Sequence, residues 1–578
     1  MKRKGYKAKL LIPAMVLMTA SMMMNVVGCT GSDESSPIVD GDVDLPDNPD
    51  GDPAELAKMA FEEGKSWLEK GQANEARPFF AQAVQYDPDM LEAHFGLAFA
   101  ESQVTWEFLS AFLTMAGQIM SADPPDWVNE EKGTSGGEYD DLDDPQSQSE
   151  WLAQQVHVLF GNMSQSLGVA VEHYGIIINS EQATDFVYTI DTEIPIYMSL
   201  ERTAALTGEI RLPEIYMFDS MSRLYLSVTR MISMLDLRGD LSDVVNFVQS
   251  HKSSLDINTL MPVIVDLLNS DERFMGATGD TAALGAEMKT LWTGALNDVK
   301  LSFEAAKAEV DECVRTEGAQ PTNRSFFCFL DRKGEELRLH MRKPDPENPG
   351  EDYDMFLTVF KAEDMTVIDT FVANLADGQS PMDLREEILP VLSSIVAVVN
   401  AYGMLDLLNL DLGLGDAATP DVVGSFLGTF LPKGAAMNFG AFFNDPTSLR
   451  GLLPVWTSDK PRRENTLYME WECPGELEDD EAPNGSGGLL CAAEDADGGL
   501  VDSAHFVGTD NEQPADGVLL QTPYFVWQDP TLGGLLYIDP TELDLEGPAG
   551  YAPATQAGTN VFIGAVVDGV MGFVGKKK

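Results

Sequence analysis

Positive charge is scarce in this sequence, since 37 Lys and Arg stand against 94 Asp and Glu and the formal net charge is −57. Proteins that bind nucleic acid neutralise phosphates with Lys and Arg, so this balance excludes a nucleic-acid partner. Long apolar runs are scarce as well. Only residues 10–27 approach the length that spans a bilayer, which excludes a protein with several membrane spans. The 44% hydrophobic share is nevertheless ordinary for a globular chain.

Motifs that carry catalysis are scarce too. No two histidines lie four residues apart, no H-E-x-x-H motif occurs, and no dinucleotide-binding glycine pattern follows a strand. The six histidines are isolated from one another in the sequence: His94, His157, His173, His251, His340 and His505. We therefore predict a protein without enzymatic activity and without a cofactor. One alternative is an acidic hydrolase, because the abundant carboxylates would conceal a catalytic pair.

The first 28 residues have the pattern of an export signal. Five basic residues precede the apolar run, and a stretch rich in Ser, Asp, Gly and Pro follows it. The run ends in Val26-Val27-Gly28-Cys29, which resembles a bacterial lipobox. The resemblance implies cleavage before Cys29, acylation (palmitate or a similar chain) of its sulfur and new amine, and a stable membrane anchor. Thr30 stands where lipoproteins of the inner membrane usually have Asp, which favours the outer membrane. The alternative is an ordinary cleaved signal.

Cysteine usage agrees with export. Four cysteines remain after Cys29, an even number that is typical of disulfide bonding in an oxidising compartment: Cys313, Cys328, Cys473 and Cys491. Of the three possible pairings we favour the local one, 313–328 with 473–491. A zinc site is the alternative, but no C-x-x-C spacing supports it.

Two acidic segments contain no hydrophobic period. Residues 29–53 read as a disordered tether, and residues 123–149 read as an acidic loop. Asp40, Asp42 and Asp44 alternate as in calcium loops but lack the Glu that closes an EF-hand. A solvated spacer is the preferred interpretation, and loosely bound Ca²⁺ on such loops is the alternative.

Residues 57–90 form the most informative structured segment. Small and aromatic residues occupy the positions through which two antiparallel helices would pack, and a proline ends the second helix: Ala60, Gly64, Trp67, Ala76, Phe80, Ala83 and Pro88. This pattern resembles a 34-residue tetratricopeptide (TPR) unit, with Glu63 replacing the usual Leu. A second unit opens at Leu91 and fades after residue 103. One unit cannot bury its own apolar face, so the segment 54–122 is expected to stack on the helices that come after it in the chain.

Apolar residues then recur every three or four positions in three runs, which predicts amphipathic helices across residues 150–319. Met217, Met221, Met231 and Met234 lie in one of these runs; we expect them in the core rather than in an adaptable groove. Residues 320–578 read as an α-rich region with short strands. The predicted fold is mainly α, with TPR-like helical hairpins extended into a larger helical array and minor β content in the last third.

These features lead to two functional hypotheses. The first is an exported, lipid-anchored scaffold of the cell envelope, whose TPR-like helices bind an envelope protein or a peptide without catalysis. The second is a ligand-binding or transport-accessory lipoprotein with a pocket between the helical and C-terminal regions. An open apolar face on the helices would favour the first hypothesis, and an enclosed pocket would favour the second.

Overall fold

The computed structural model describes residues 52–120, 145–197, 202–233, 235–236, 279–308, 327–329, 336–344, 352–401, 420–428, 431–444, 467–469, 506–507, 523–524, 529–543, 550–555, 558–559 and 562. Most of these residues are helical and few are in strands. The predicted mainly α class, a helical array with minor β content, is therefore confirmed.

Six helices form the array that begins the described chain: α1 (Pro53–Glu69), α2 (Ala73–Tyr86), α3 (Leu91–Met120), α4 (Pro145–Ile178), α5 (Leu212–Ser233) and α6 (Thr281–Ala308). Each helix packs against the one before it and the one after it. The odd-numbered helices also meet one another, as Ser102 of α3 lies 3.3 Å from Ser222 of α5 between their hydroxyl oxygens. Helix α3 therefore contacts α1, α2, α4 and α5.

Helix α3 lies at the centre of this array. Residues 93–102 are all buried, including His94 and Glu101, because α2, α4, α5 and a strand surround the helix. The mostly apolar sequence of this stretch suits a helix that is enclosed on every side. The predicted stripe of α6 is confirmed for its described members, which are all buried: Leu284, Met288, Leu291, Ala295, Val299, Phe303 and Ala306. Its last predicted member, Val310, lies outside the described residues.

Helix α5 departs from its predicted pattern. Val228 of the apolar stripe is exposed, whereas polar residues of the same helix are buried: Glu214, Asp219, Ser220, Ser222, Ser227 and Thr229. Hydrogen bonds from neighbouring helices compensate this burial, as Ser164 of α4 donates to Thr229 and Trp292 of α6 donates to Ser227. Met217 is buried and Met221 and Met231 pack against the core, as expected.

A β-hairpin lies between α4 and α5, inside the segment that we expected to be helical. Strands β1 (Tyr188–Tyr197) and β2 (Arg202–Ile210) pair antiparallel. The alternation of Tyr188, Ile190, Ile194 and Ile196 with polar residues has the period of a strand, but the longer helical stripes on both sides obscured it. The expectation of an entirely helical segment was wrong here.

The hairpin joins the array to later strands. In one antiparallel sheet β2 pairs with β4 (Glu336–Pro344), which also pairs with β3 (Phe327–Phe329) and β5 (Asp352–Lys361). Helices α7 (Asp364–Asp377), α8 (Leu389–Ala401) and α9 (Pro420–Leu427) follow, with a π-helical turn Leu384–Ile388 before α8. Helix α10 (Phe439–Asn444) packs against α6 and α7.

Two further small sheets are antiparallel. One contains β6 (Met382–Asp383), β7 (Ala435–Met437), β11 (Leu536–Ile538) and β12 (Ala552–Pro553), and the other contains β8 (Leu467–Met469), β9 (Phe506–Val507) and β10 (Pro523–Tyr524). Trp292 of α6 stacks on Phe439 of α10 with ring centroids 5.5 Å apart. The hydrophobic core thus continues from the array into the C-terminal region.

Across the described helices, we find none with both the length and the apolar character needed to cross a membrane.

Candidate functional site

The sequence-predicted packing residues meet at the interface of α1, α2 and α3. Ala60, Ala76, Phe80 and Ala83 are fully buried. Gly64 of α1 and Gly96 of α3 lie against the Phe80 ring, where an added Cβ would come within 3.0 Å and 2.3 Å of it, respectively. The absence of side chains at the two glycines lets three helices share one aromatic ring.

Two other predicted packing residues lie at the edge of this interface. Trp67 is half-buried, and the Lys70 ammonium lies 4.5 Å from its ring centroid. Pro88 is exposed just beyond the end of α2, as predicted for a residue that stops the helix. Its carbonyl accepts a hydrogen bond from His94 Nε2 at 2.8 Å.

The outer face of α1 and α3 is covered by the beginning of the hairpin. Phe186, Tyr188 and Ile190 are buried, while Val187 and Thr189 between them are exposed. The Tyr188 ring lies between Phe61 of α1, at 6.0 Å between centroids, and Phe95 of α3, at 4.5 Å. Every second side chain of an extended segment thus enters the face that the two helices form.

Polar contacts hold the same segment at its end. Lys65 of α1 forms an ion pair with Asp191, and its ammonium lies 5.7 Å from the centroid of the Tyr188 ring. The Asp191 backbone N–H donates to Glu69 Oε1 at 3.2 Å. Helix α1 therefore recognises this segment through an aromatic ring, a cation and a backbone hydrogen bond. We call the residues of α1 and α3 that contact this segment the α1–α3 face: Phe61, Lys65, Glu69 and Phe95. Residues 186–191, which the face holds, are called its strand.

The Tyr188 hydroxyl is the polar group of the strand that fits its surroundings poorly. It is buried and has no hydrogen-bond partner within the described part of the chain. Burial raises the pKa of Tyr188 far above its usual range, and the carboxylates of Glu69, Glu62 and Asp191 raise it further. The hydroxyl therefore stays neutral, and its lost hydration opposes the docking of the strand.

A pair of histidines lies behind this face, between α3 and α4. His94 Nε2 faces a carbonyl and must donate, so its Nδ1 accepts the hydrogen bond from His173 Nδ1 at 2.6 Å. Burial, with a smaller contribution from His94, lowers the pKa of His173 to about 4. The His173 ring is therefore neutral at neutral pH.

The histidine pair predicts a loss of stability in acid. The unfolded chain takes up a proton at His173 below its ordinary pKa of 6.5, whereas the folded chain does so only near 4. Stability from this pair is thus complete above pH 6.5 and is lost as the pH falls through 4. In urea unfolding, the free energy of unfolding of the wild type should fall relative to that of His173→Asn as the pH goes from 7 to 5.

The control for this experiment is His157→Asn, which changes an exposed histidine on the same helix. If His157→Asn and His173→Asn alter the pH dependence of unfolding equally, the pair does not set it.

A second buried cluster joins α5 to α6 and was not found from the sequence. Asp219 is fully buried, and its Oδ2 accepts hydrogen bonds from Arg223. Asp298 Oδ2 lies 3.1 Å from Arg223 Nε. Burial raises the pKa of Asp298 to about 8, with a further contribution from the charge of Asp219, whose own pKa burial raises too. The sequence gives no sign that Asp219 and Asp298, which are 79 positions apart, lie close together.

Within the described residues, no group of three or more His, Cys, Asp and Glu side chains is arranged to hold a metal ion. Cys328 belongs to strand β3. The other predicted residues of the lipidation and disulfide sites, namely Cys29, Cys313, Cys473 and Cys491, lie outside the described residues, as do Asp40, Asp42 and Asp44 and residues 123–144 of the predicted acidic loop. Residues 145–149, the end of that predicted loop, instead begin helix α4.

Comparison of the chain with protein-family models, with curated proteins and with solved structures finds no match. The TPR and lipobox resemblances therefore stay predictions from residue types.

Proposed function

We propose that this chain is a lipid-anchored scaffold of the cell envelope that binds partner proteins through the α1–α3 face, without catalysis. In the structure this face is covered by residues 186–191 and is not open, and the observation that most supports the proposal is the way in which it holds this segment. Alternating side chains enter an apolar surface while a side chain of the helix accepts a backbone N–H, which is how proteins commonly hold extended peptides. An envelope protein or peptide is the expected partner, and the outer membrane is the expected location.

The boundary between the helical array and the C-terminal region favours the scaffold over a ligand pocket there. In its described part, aromatic rings fill the space where α6, α7 and α10 meet, since Trp292 packs on Phe371, Phe439 and Phe443. Lys289 of α6 adds hydrogen bonds to the Ala376 carbonyl and to Asn444 Oδ1. Phe371 and Phe443 are buried in these contacts, and Trp292 and Phe439 are partly buried.

Photo-crosslinking in intact cells tests the scaffold proposal. A photo-reactive amino acid in place of Glu62, which is exposed on α1 beside the strand, should form an adduct with a specific envelope protein. The matched control replaces Glu304, an exposed glutamate on α6. Cys29→Ala should abolish both the acylated N-terminal peptide in mass spectrometry and the adduct. Adducts of equal yield from both positions, or none from Glu62, would overturn the proposal.

A further inference from the structure

Building on the proposed function, we propose that residues 188–191 are a built-in competitor that occupies the partner's place on the α1–α3 face. The partner that fits is an extended peptide segment with an aromatic residue, an aliphatic residue two positions later, and a carboxylate opposite Lys65. The strand leaves the face when such a peptide binds.

The contacts of the strand define this peptide. Tyr188 fills the space between Phe61 and Phe95, and Ile190 is buried on the same side of the strand. The next residue places its carboxylate on Lys65, which also lies over the aromatic ring. The spacing of two follows from the period of an extended chain, so a helical partner segment would not reproduce it.

The attachment of the strand to the rest of the molecule is limited. Its pairing with β2 is regular for Tyr188, Thr189 and Ile190, and the register shifts before Ile194. In the described sheet β1 is at the edge, with a pairing partner on one side only. A strand in this position can separate without breaking the other strand pairs, and an edge is where a further chain adds to a sheet.

The fit of the strand is also imperfect. The Tyr188 hydroxyl is buried without a partner in the described chain, and a peptide with Phe at this position avoids that loss. The Asp191 carboxylate is 68% exposed, so its ion pair with Lys65 contributes little in water. A peptide of the same pattern with Phe in place of Tyr188 lacks the unpartnered hydroxyl and can therefore displace the strand.

Binding of a synthetic peptide to the full chain tests the inference. The probe is a fluorescent peptide with the sequence of residues 184–193 and Phe in place of Tyr188, measured by fluorescence anisotropy. Ile190→Ala in the protein weakens the strand, so we expect at least tenfold tighter binding of the peptide than by the wild type. Tyr188→Phe in the protein strengthens the strand, and we expect weaker binding than by the wild type.

Three controls keep the experiment decisive. A peptide with Ser at its aromatic and aliphatic positions should not bind. Lys65→Met in the Ile190→Ala protein should weaken binding severalfold, whereas Lys300→Met, which removes the ion pair with Asp369 on another surface, should not. If Ile190→Ala does not fold by circular dichroism, Asp191→Asn replaces it, with an expected gain of about two- to fivefold, since an exposed ion pair is weak.

The outcomes separate this inference from the proposed function. If all folded variants bind the peptide with equal affinity, or if none of them binds it, the proposal that residues 188–191 compete with the partner is wrong. A cross-link from Glu62 that persists in that case leaves the scaffold proposal standing. Graded peptide binding without any cross-linked partner would support the competitor and overturn the scaffold.

Discussion

Replacing Gly96 with alanine is expected to destabilise the helical array by about 3 kcal/mol, near the upper end of the usual range for overpacking in a core. An added Cβ at this position would lie 2.3, 2.5 and 2.6 Å from three atoms of the Phe80 ring. The ring cannot move away easily, because Gly64 of α1 packs on it as well. Either Phe80 leaves its position or α2 and α3 separate, and both lose buried contacts.

Gly161→Ala is the matched control. Gly161 is also inside a helix, α4, but among the described residues nothing lies within 4 Å of an added Cβ. Alanine should therefore stabilise this helix by about 0.5–1 kcal/mol, because it restricts the unfolded chain more than glycine does. Hydrogen exchange of peptides from α1, α2 and α3 for Gly96→Ala, and from α4 for Gly161→Ala, followed by mass spectrometry, measures the local opening free energy.

Opposite signs are expected for the two alanine variants. If Gly96→Ala leaves exchange in α1–α3 unchanged, the close approach of these helices to Phe80 is not present in solution.

The second large effect concerns Asp219 and Asp298. Asp219 Oδ1 is buried without a hydrogen-bond donor among the described residues, and so is Asp298 Oδ2. Arg223 Nε is near both acids but donates to Asp219 Oδ2. A proton shared by the two carboxyl groups would supply a hydrogen bond between them. Together with the charge of Arg223, it would leave the cluster without net charge.

This proton makes stability depend on pH in the opposite sense to the histidine pair. The folded chain keeps a proton at Asp298 up to about pH 8, whereas the unfolded chain releases it near the ordinary value of 3.8. The stabilisation that this proton provides is complete below pH 3.8 and is lost as the pH rises to about 8. One fully retained proton corresponds to about 1.4 kcal/mol per pH unit.

We expect Asp298→Asn to remove most of this dependence, because the amide keeps a donor for Asp219 and does not titrate. The variant should be more stable than the wild type at pH 9 and similar to it near pH 5, as measured by urea unfolding with circular dichroism. Asp369→Asn is the control, since Asp369 on α7 is an exposed partner of Lys300. A difference in stability between the wild type and Asp298→Asn that stays constant from pH 5 to pH 8 would contradict the shared proton.

Local features of this protein were determined by the sequence itself. The helical stripe of α6 and the glycine and aromatic positions of α1 and α2 have periods that a single element imposes, so burial of Ala76, Phe80 and Leu291 was predictable. Scarcity of positive charge likewise predicts, independently of the fold, that nucleic acid is not a partner.

Only the tertiary structure decided which elements meet across long separations in the chain. Residues 186–191 lie on a face formed about 100 residues earlier in the chain, and Lys65 meets Asp191 there. Asp219 reaches Asp298 only because α5 packs on α6. The period of a sequence shows which side of an element is apolar, but it does not show which other element covers that side. The burial of polar residues in α5 and the position of the strand on the α1–α3 face could therefore be known only from the packing.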